Sequence, residues 1–102
     1  VIDKTAARCR AVHKKLAALG VEGVHLIEGK ADKYEGGVSV VPVYLSKGME
    51  FDAVLLVNPS AASYDSAVPE DVKLLYVACT RALHRLEAYH WDELTPLLQG
   101  VL

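Results

Sequence analysis

Two apolar stretches, VSVVPVY at residues 38–44 and AVLLV at residues 53–57, decide the fold. Both are rich in β-branched and aliphatic residues, and neither alternates strictly between apolar and polar positions. Nearly continuous apolar runs of this length are typical of strands buried on both faces, as in a parallel sheet flanked by helices. Pro42 has no amide hydrogen to donate, so it indicates an edge or a strand end. We therefore predict two strands of a largely parallel sheet.

Helical spacing on either side of these strands predicts two helices. Apolar residues repeat at that spacing through residues 5–19, between a candidate N-cap at Asp3 or Thr5 and a stop at Gly20. A second helix is predicted from Pro69 to about Arg81, with acidic residues in its first turn that favour the helix dipole.

The remaining segments are shorter. We predict strands at residues 24–27 and 85–90, loops at residues 29–37 and 60–69, and a closing helix at residues 91–99. Strands that alternate with helices imply an α/β layer sandwich with a largely parallel sheet. No internal repeat or linker divides the chain.

Length and composition exclude several classes of protein. The chain has 102 residues, 52% of them apolar, seven glycines, four prolines and a net charge of −2, which indicates one folded domain and neither a disordered nor a collagen-like chain. The longest uncharged apolar stretch, residues 36–46, is too short to span a membrane. Cys9 and Cys79 form no CxxC pattern, which favours a reducing, cytoplasmic location.

The chain begins with Val1 and not Met, so we expect it to be part of a longer protein.

Common phosphate-binding and catalytic motifs are absent. The sequence has no GxxxxGK[ST], GxGxxG or GxSxG, and AVLLV is followed by Asn58 where a magnesium-binding strand would end in an acid. The spacing of Cys79, His84 and His90 matches no zinc template, so we predict no metal site. The α/β fold therefore lacks its own triphosphate loop.

Basic residues are concentrated near the start of the chain. Five of the eleven Lys and Arg residues lie within residues 4–15. They fit either a solvated outer helix face or a face that contacts phosphates.

Two segments carry the functional signal: VPVYLSKGMEFD at residues 41–52 and LLYVACTRA at residues 74–82. Lys47 and Gly48 follow a strand in a turn where backbone amides can approach a phosphate, and Glu50 comes two residues later. Arg81 ends a helix that is otherwise largely apolar, so we expect that helix to be buried and Arg81 to lie at its rim. An arginine held in this way can stabilise charge on a transferring phosphoryl group.

These segments resemble motifs V and VI of superfamily 1 helicases of the UvrD/Rep type. The matching positions in the first motif are Lys47, Gly48, Glu50 and Phe51, and in the second Leu75, Tyr76, Val77, Ala78, Thr80, Arg81 and Ala82. Tyr44 stands where many relatives have His, and Met49 where they have Leu. Residues 2–16 resemble the motif IV region. The residues of the two motifs are most similar to those of the HelD-like branch, whose members bind RNA polymerase.

The resemblance implies a RecA-like layer sandwich of the P-loop NTPase type, with residues 1–102 forming the C-terminal RecA-like (2A) domain and lacking a Walker A loop. Arg81 would be the arginine finger. ATP and Mg²⁺ would be bound mainly by an N-terminal RecA-like domain of the same chain. The present chain would contact the nucleotide through Glu50, Gly48 and Thr80, and single-stranded DNA, or alternatively RNA, through Tyr44, Ser46 and Lys47.

The function implied by the resemblance is that of one half of an ATP-dependent DNA helicase or translocase. For the 102 residues alone we expect no ATPase activity, because the site would be split between two domains. The alternative is a non-catalytic RecA-like module that docks RNA polymerase or a repair or transcription partner. A Walker A sequence upstream of Val1 would distinguish the motor from the module.

Overall fold

Helices and strands alternate along the chain in the computed structural model, which describes residues 1–29 and 37–99. The order is β1 (Ile2–Asp3), α1 (Ala6–Ala18), β2 (Val24–Leu26), β3 (Val38–Pro42), α2 (Val43–Ser46), β4 (Phe51–Val57), α3 (Pro69–Cys79), β5 (Ala82–Tyr89) and a 3₁₀ helix, Pro96–Leu98. Most of the loop predicted at residues 29–37 lies outside the described residues.

The five strands form one sheet in the order β2-β3-β1-β4-β5. Each of the four strand pairings among the described residues is parallel. The short β1 lies in the middle, where Ile2 pairs with Val41 on one side and Leu56 on the other. The predicted α/β fold with a largely parallel sheet is confirmed.

The ends of α1 follow the sequence signals. Of the two candidate caps, Thr5 caps the helix, and its hydroxyl accepts a hydrogen bond from the Arg8 amide at 3.2 Å. Asp3 belongs instead to β1, where its carboxylate accepts from the Lys4 amide at 2.7 Å. Gly20 follows the helix at φ +83°, a left-handed conformation that glycine adopts without strain.

The core lies between the sheet and α3. Val54 and Leu56 of β4 are buried in one cluster with Leu75 and Ala78 of α3. Ala53, which alternates with them, is exposed. The prediction that residues 53–57 are buried on both faces is therefore wrong for β4 within the described part of the chain.

Strand β3 ends at Pro42, two residues earlier than the apolar pattern predicts. The φ of −70° and the missing amide of Pro42 suit the N-cap of α2, so residues 43–46 form a helical turn and not the end of a strand. Tyr44 consequently lies on α2. The alternative that Pro42 marks a strand end is confirmed.

The prediction of a closing helix at residues 91–99 is wrong, because only Pro96–Leu98 is helical there. The backbone before this helix is hydrogen-bonded to the loop after β4. Leu94 forms an antiparallel bridge with Ser60, and the Thr95 amide donates to the Pro59 carbonyl at 3.0 Å. The last strand also begins earlier than predicted, at Ala82, because that residue pairs with Phe51 at the start of β4.

Two features are absent from residues 1–29 and 37–99. None of the helices in those ranges is long and apolar enough to cross a membrane. The same residues contain no group of three or more His, Cys, Asp or Glu side chains that could hold a metal ion. Cys9 and Cys79 are both free.

An ion pair joins the start of α3 to the end of β1. Asp71, in the first turn of α3, lies 2.8 Å from the Lys4 ammonium and accepts a hydrogen bond from the Asp65 amide at 3.1 Å. Lys4 first, and then Asp65, hold the pKa of Asp71 below its ordinary value. The charged form of Asp71 is therefore the form that the fold favours.

We expect Asp71→Asn to lower the free energy of unfolding at pH 7 by about 1 kcal/mol, because it removes a charged partner of Lys4 and a charge at a helix N-terminus. The pKa of Asp71 is lowered on folding, so its contribution is present above the ordinary carboxyl pKa and is lost as the pH falls through the folded value. The difference between the two proteins should shrink from pH 7 to pH 3 in urea denaturation. Glu70→Gln is the matched control, since Glu70 is exposed in the same turn; equal effects of the two substitutions would contradict this role for Asp71.

Candidate nucleotide and nucleic-acid site

The two segments singled out by the sequence meet where β4 and β5 begin. The Arg81 guanidinium donates through Nη1 to the Met49 carbonyl at 3.3 Å. In return, the Phe51 amide donates to the Arg81 carbonyl at 2.9 Å. Two segments about thirty residues apart in sequence are thus joined by hydrogen bonds in both directions.

Arg81 is half-buried and held at the C-terminal end of α3. Besides the bond to Met49, Nε donates to the Val77 carbonyl at 3.1 Å and Nη2 to the Thr80 hydroxyl at 3.1 Å. Backbone carbonyls in the last turn of a helix lack intrahelical partners and carry partial negative charge, so a guanidinium is well placed there. The structure therefore places Arg81 at the rim of the helix, as predicted from the sequence.

Thr80 fixes one end of the Arg81 guanidinium. It is the C-cap of α3, and its hydroxyl lies 2.9 Å from the Tyr76 carbonyl and 3.0 Å from the Val77 carbonyl. With its hydrogen directed to one of these carbonyls, the hydroxyl oxygen accepts from Arg81. The side chain is exposed, but its polar atom is directed to Arg81 and the helix end.

The turn between α2 and β4 presents the predicted Lys47, Gly48 and Glu50 at the surface, where all three are exposed. Gly48 has φ +86°, in the left-handed region that favours glycine. The Met49 amide closes the turn by donating to the Ser46 carbonyl at 2.9 Å, so this amide is already used within the turn.

The three residues predicted to contact nucleic acid differ in what they expose. Tyr44 is 55% exposed on α2, and Lys47 is exposed in the following turn. Ser46 is buried, and its hydroxyl donates to the Val43 carbonyl at 2.7 Å. The Ser46 side chain is therefore turned inward, whereas Tyr44 and Lys47 present side chains to solvent.

The basic residues near the start of the chain divide into two groups. Lys4 pairs with Asp71, and Arg8 lies 3.4 Å from the Asp3 carboxylate and donates to the Ser63 hydroxyl at 2.8 Å. Burial nevertheless raises the pKa of Asp3, against the opposing effects of the Lys4 amide and Arg8. The other three basic side chains, Arg10, Lys14 and Lys15, are exposed on α1.

Helix α3 is not wholly buried as its apolar composition predicts. Val72 is 36% exposed and Tyr76 is 70% exposed, about two turns and one turn before Thr80 on the same helix face. The spacing of Val68, Val72, Tyr76 and Thr80 at four-residue intervals is the sequence signal that could have identified this exposed face. The hydrogen bond of Arg81 to the Met49 carbonyl, by contrast, involves a backbone group, and no residue pattern in the sequence predicts it.

We expect Gly48→Ala to destabilise the domain by about 1–2 kcal/mol, because a residue with a Cβ is strained at this positive φ. A Cβ built at Gly48 meets no atom within 4 Å, so the cost comes from backbone strain and not from a clash. Gly48→Asn should cost less than Gly48→Ala, since asparagine tolerates the left-handed region. Urea denaturation of both variants measures the difference; an alanine variant as stable as the unsubstituted chain would contradict the strained turn.

Comparisons with known proteins identify a family that includes both of the joined segments. Residues 37–87 match the family described as the UvrD-like helicase C-terminal domain. DNA helicase II of Escherichia coli (strain K12) and DNA helicase II of Salmonella typhimurium (strain LT2) are each 34% identical to the chain over a 67-residue alignment. That alignment covers 58% of the chain and 9% of each of the two proteins, so the chain spans a small part of their length.

A solved structure shares the fold. It is the C-terminal domain of a possible DNA helicase from Lactobacillus plantarum WCFS1, which superposes with a TM-score of 0.81 at 40% sequence identity. The match covers 99% of the present chain and 60% of that one. Since the family match spans half of the chain and includes both joined segments, the chain belongs to the family of UvrD-like helicase C-terminal domains.

Proposed function

We propose that the chain is the C-terminal RecA-like domain of an ATP-dependent DNA helicase or translocase and part of a longer polypeptide. Family membership and the DNA helicases among its relatives support the helicase assignment. The missing phosphate loop supports a divided site, in which an N-terminal RecA-like domain of the same polypeptide binds most of ATP. The described residues offer no cluster of metal-binding side chains, so we assign Mg²⁺ to that domain also.

The observation that carries the proposal is the bonding of Arg81 to the turn at residues 46–50. A guanidinium has five N–H groups, and the described contacts use three of them. Two remain to meet phosphate oxygens across an interdomain cleft. Because Arg81 is held at three points, little conformational entropy is lost when it meets the phosphate, and we assign it the role of arginine finger.

The nucleotide contacts that we propose for this domain surround Arg81. Glu50 is exposed beside it and would contact the ribose, and Gly48 would let the backbone approach the nucleotide. Thr80 acts through Arg81, because its hydroxyl lies on the guanidinium and the helix carbonyls. We therefore treat Thr80 as a positioning residue within the nucleotide site.

The same turn provides the proposed contacts to single-stranded DNA. Tyr44 has enough exposed ring to stack on a base, and Lys47 would contact a phosphate. Ser46 would contribute only its backbone, since its hydroxyl is buried. DNA in preference to RNA is supported by the names of the relatives.

Three further parts of the proposal rest on the sequence alone. These are membership of the HelD-like branch, docking to RNA polymerase and a cytoplasmic location. A non-catalytic docking module is the second candidate. One observation favours it: the Arg81 guanidinium is bonded to Met49, Val77 and Thr80 of its own domain, which is the arrangement of an arginine with a structural role.

Arg81→Ala in the full-length protein tests the proposal. We expect DNA-stimulated ATP turnover to fall by about 10³–10⁵-fold, with ATP affinity within a few fold of normal, since the finger acts on charge in the transition state. Arg10→Ala, which removes an exposed arginine on α1, is the matched control and should leave turnover unchanged. Near-normal turnover in Arg81→Ala would contradict the finger and favour the docking module. ATP turnover by the 102 residues alone would contradict the divided site.

Thr80 allows a finer test of how Arg81 is held. Thr80→Val keeps the shape but removes the hydroxyl, and we expect kcat to fall by about 10-fold, the equivalent of one hydrogen bond, with little change in KM for ATP. Thr80→Ser keeps the hydroxyl and should restore kcat. Both constants are measured by steady-state ATPase assays on the full-length protein, together with the melting temperature. Equal kcat values for the valine and serine variants would show that the hydroxyl does not position Arg81.

A further inference from the structure

In the part of the chain that the structure describes, one face of β4 and β5 is left open to solvent. In the parallel pairing of β4 with β5, residues opposite each other point to the same face, and one set of these pairs is not buried. We call this set the β4–β5 face: Ala53, Leu55 and Val57 of β4 with Arg85, Glu87 and Tyr89 of β5. Ala53, Arg85 and Tyr89 are exposed, and the other three are half-buried.

Helices pack on other parts of the sheet. The opposite side of β4 packs on α3 and is buried through Val54 and Leu56. On the same side as the β4–β5 face, α1 packs on β1, β2 and β3. Beneath it Val40 is fully buried and Asp3 is 2% exposed. The cover provided by α1 therefore ends at β1.

The uncovered area has the width of one helix. Adjacent strands lie about 4.8 Å apart, so β4 and β5 add about 10 Å of sheet beyond β1, close to the 8–10 Å between packed helices. A trough of about 460 Å³ lies over the first part of this area, at Ala53, Leu55, Arg85 and Glu87, and it extends past the start of β1 to Val38 of β3. Parallel sheets are almost always covered on both faces, which makes a helix beside α1 the expected cover.

The side chains of the β4–β5 face suit an amphipathic helix. Leu55 and Val57 offer apolar contacts, and Ala53 is small enough for a close approach. The charges on the face neutralise each other, because Arg85 Nη2 lies 2.7 Å and Nε 3.1 Å from Glu87 Oε1. A helix could therefore cover the pair without leaving an unpaired buried charge.

A relative of known structure has residues outside the match that could form such a helix. The match to the solved helicase C-terminal domain covers 60% of that domain's chain, so the other 40% lies outside the match. We propose that a helix from outside these 102 residues, in the same polypeptide, packs its apolar stripe on the β4–β5 face beside α1. The inference rests on one part of the proposed function, that the chain is part of a longer polypeptide, and is independent of ATP and DNA binding.

Thiol labelling of the full-length protein tests whether the face is covered. Ala53→Cys places a thiol in the trough, and Leu19→Cys places one at the end of α1, where Leu19 is 72% exposed. We expect iodoacetamide to label position 53 slower than position 19 by about 10-fold or more, because a packed helix must open locally before the reagent enters. Mass spectrometry of the labelled peptides separates these sites from other cysteines. Equal labelling of the two positions would overturn the proposal.

A photo-crosslinker identifies what covers the face. Benzoylphenylalanine at Leu55 of the full-length protein should crosslink within one polypeptide, to a segment outside residues 1–102 with helical apolar spacing. A crosslink between two copies, or to another protein, would overturn the proposal in favour of that occupant. Loss of ATPase activity in Arg81→Ala has no bearing on either readout, so failure of the proposed chemistry and failure of this inference are distinguishable.

Discussion

The hydrogen bonds of one arginine organise the edge of this domain where β4 and β5 begin. The Arg81 carbonyl accepts a hydrogen bond from the Phe51 amide, and the Arg81 guanidinium donates one to the Met49 carbonyl. Two hydrogen bonds therefore join the turn after α2 to the end of α3. Hydrogen bonds from Nε to the Val77 carbonyl and from Nη2 to the Thr80 hydroxyl fix the orientation of the guanidinium. Glu50, Gly48 and Lys47 owe their place beside Arg81 to this connection. A site shared between two segments is thereby set by backbone groups as much as by the side chains that identify the family.

The sheet positions this edge through its parallel connections. Strand β4 leads into α3, and α3 returns the chain to the start of β5, so the end of the helix arrives next to the start of β4. Asp71 contributes at the other end of α3, where Lys4 ties that helix to β1. The helix that carries Arg81 is thus restrained at both ends. The orientation of the guanidinium depends on contacts that are far from it in sequence.

Much of this arrangement could be predicted from the sequence because it follows from local patterns. Helical spacing and caps identified α1 and α3, and continuous apolar runs identified β3 and β4. The failures have specific causes. Apolar composition alone cannot tell a strand covered on both faces from one covered on a single face, which is why Ala53 was predicted to be buried. The extended path of residues 91–95 depends on long-range pairing of Leu94 with Ser60 and of Thr95 with Pro59, which no local pattern records.

The amide–carbonyl bond between Phe51 and Arg81 has a mechanical consequence. It continues the β4–β5 ladder up to Phe51 and Arg81, so the turn bearing Lys47 and the end of α3 are anchored to the same sheet. Sliding one segment past the other would break hydrogen bonds of that ladder. Under the proposed function, a force applied at Arg81 would therefore move Tyr44 and Lys47 with the domain as one rigid body, and the conformational change would occur between this domain and its neighbour.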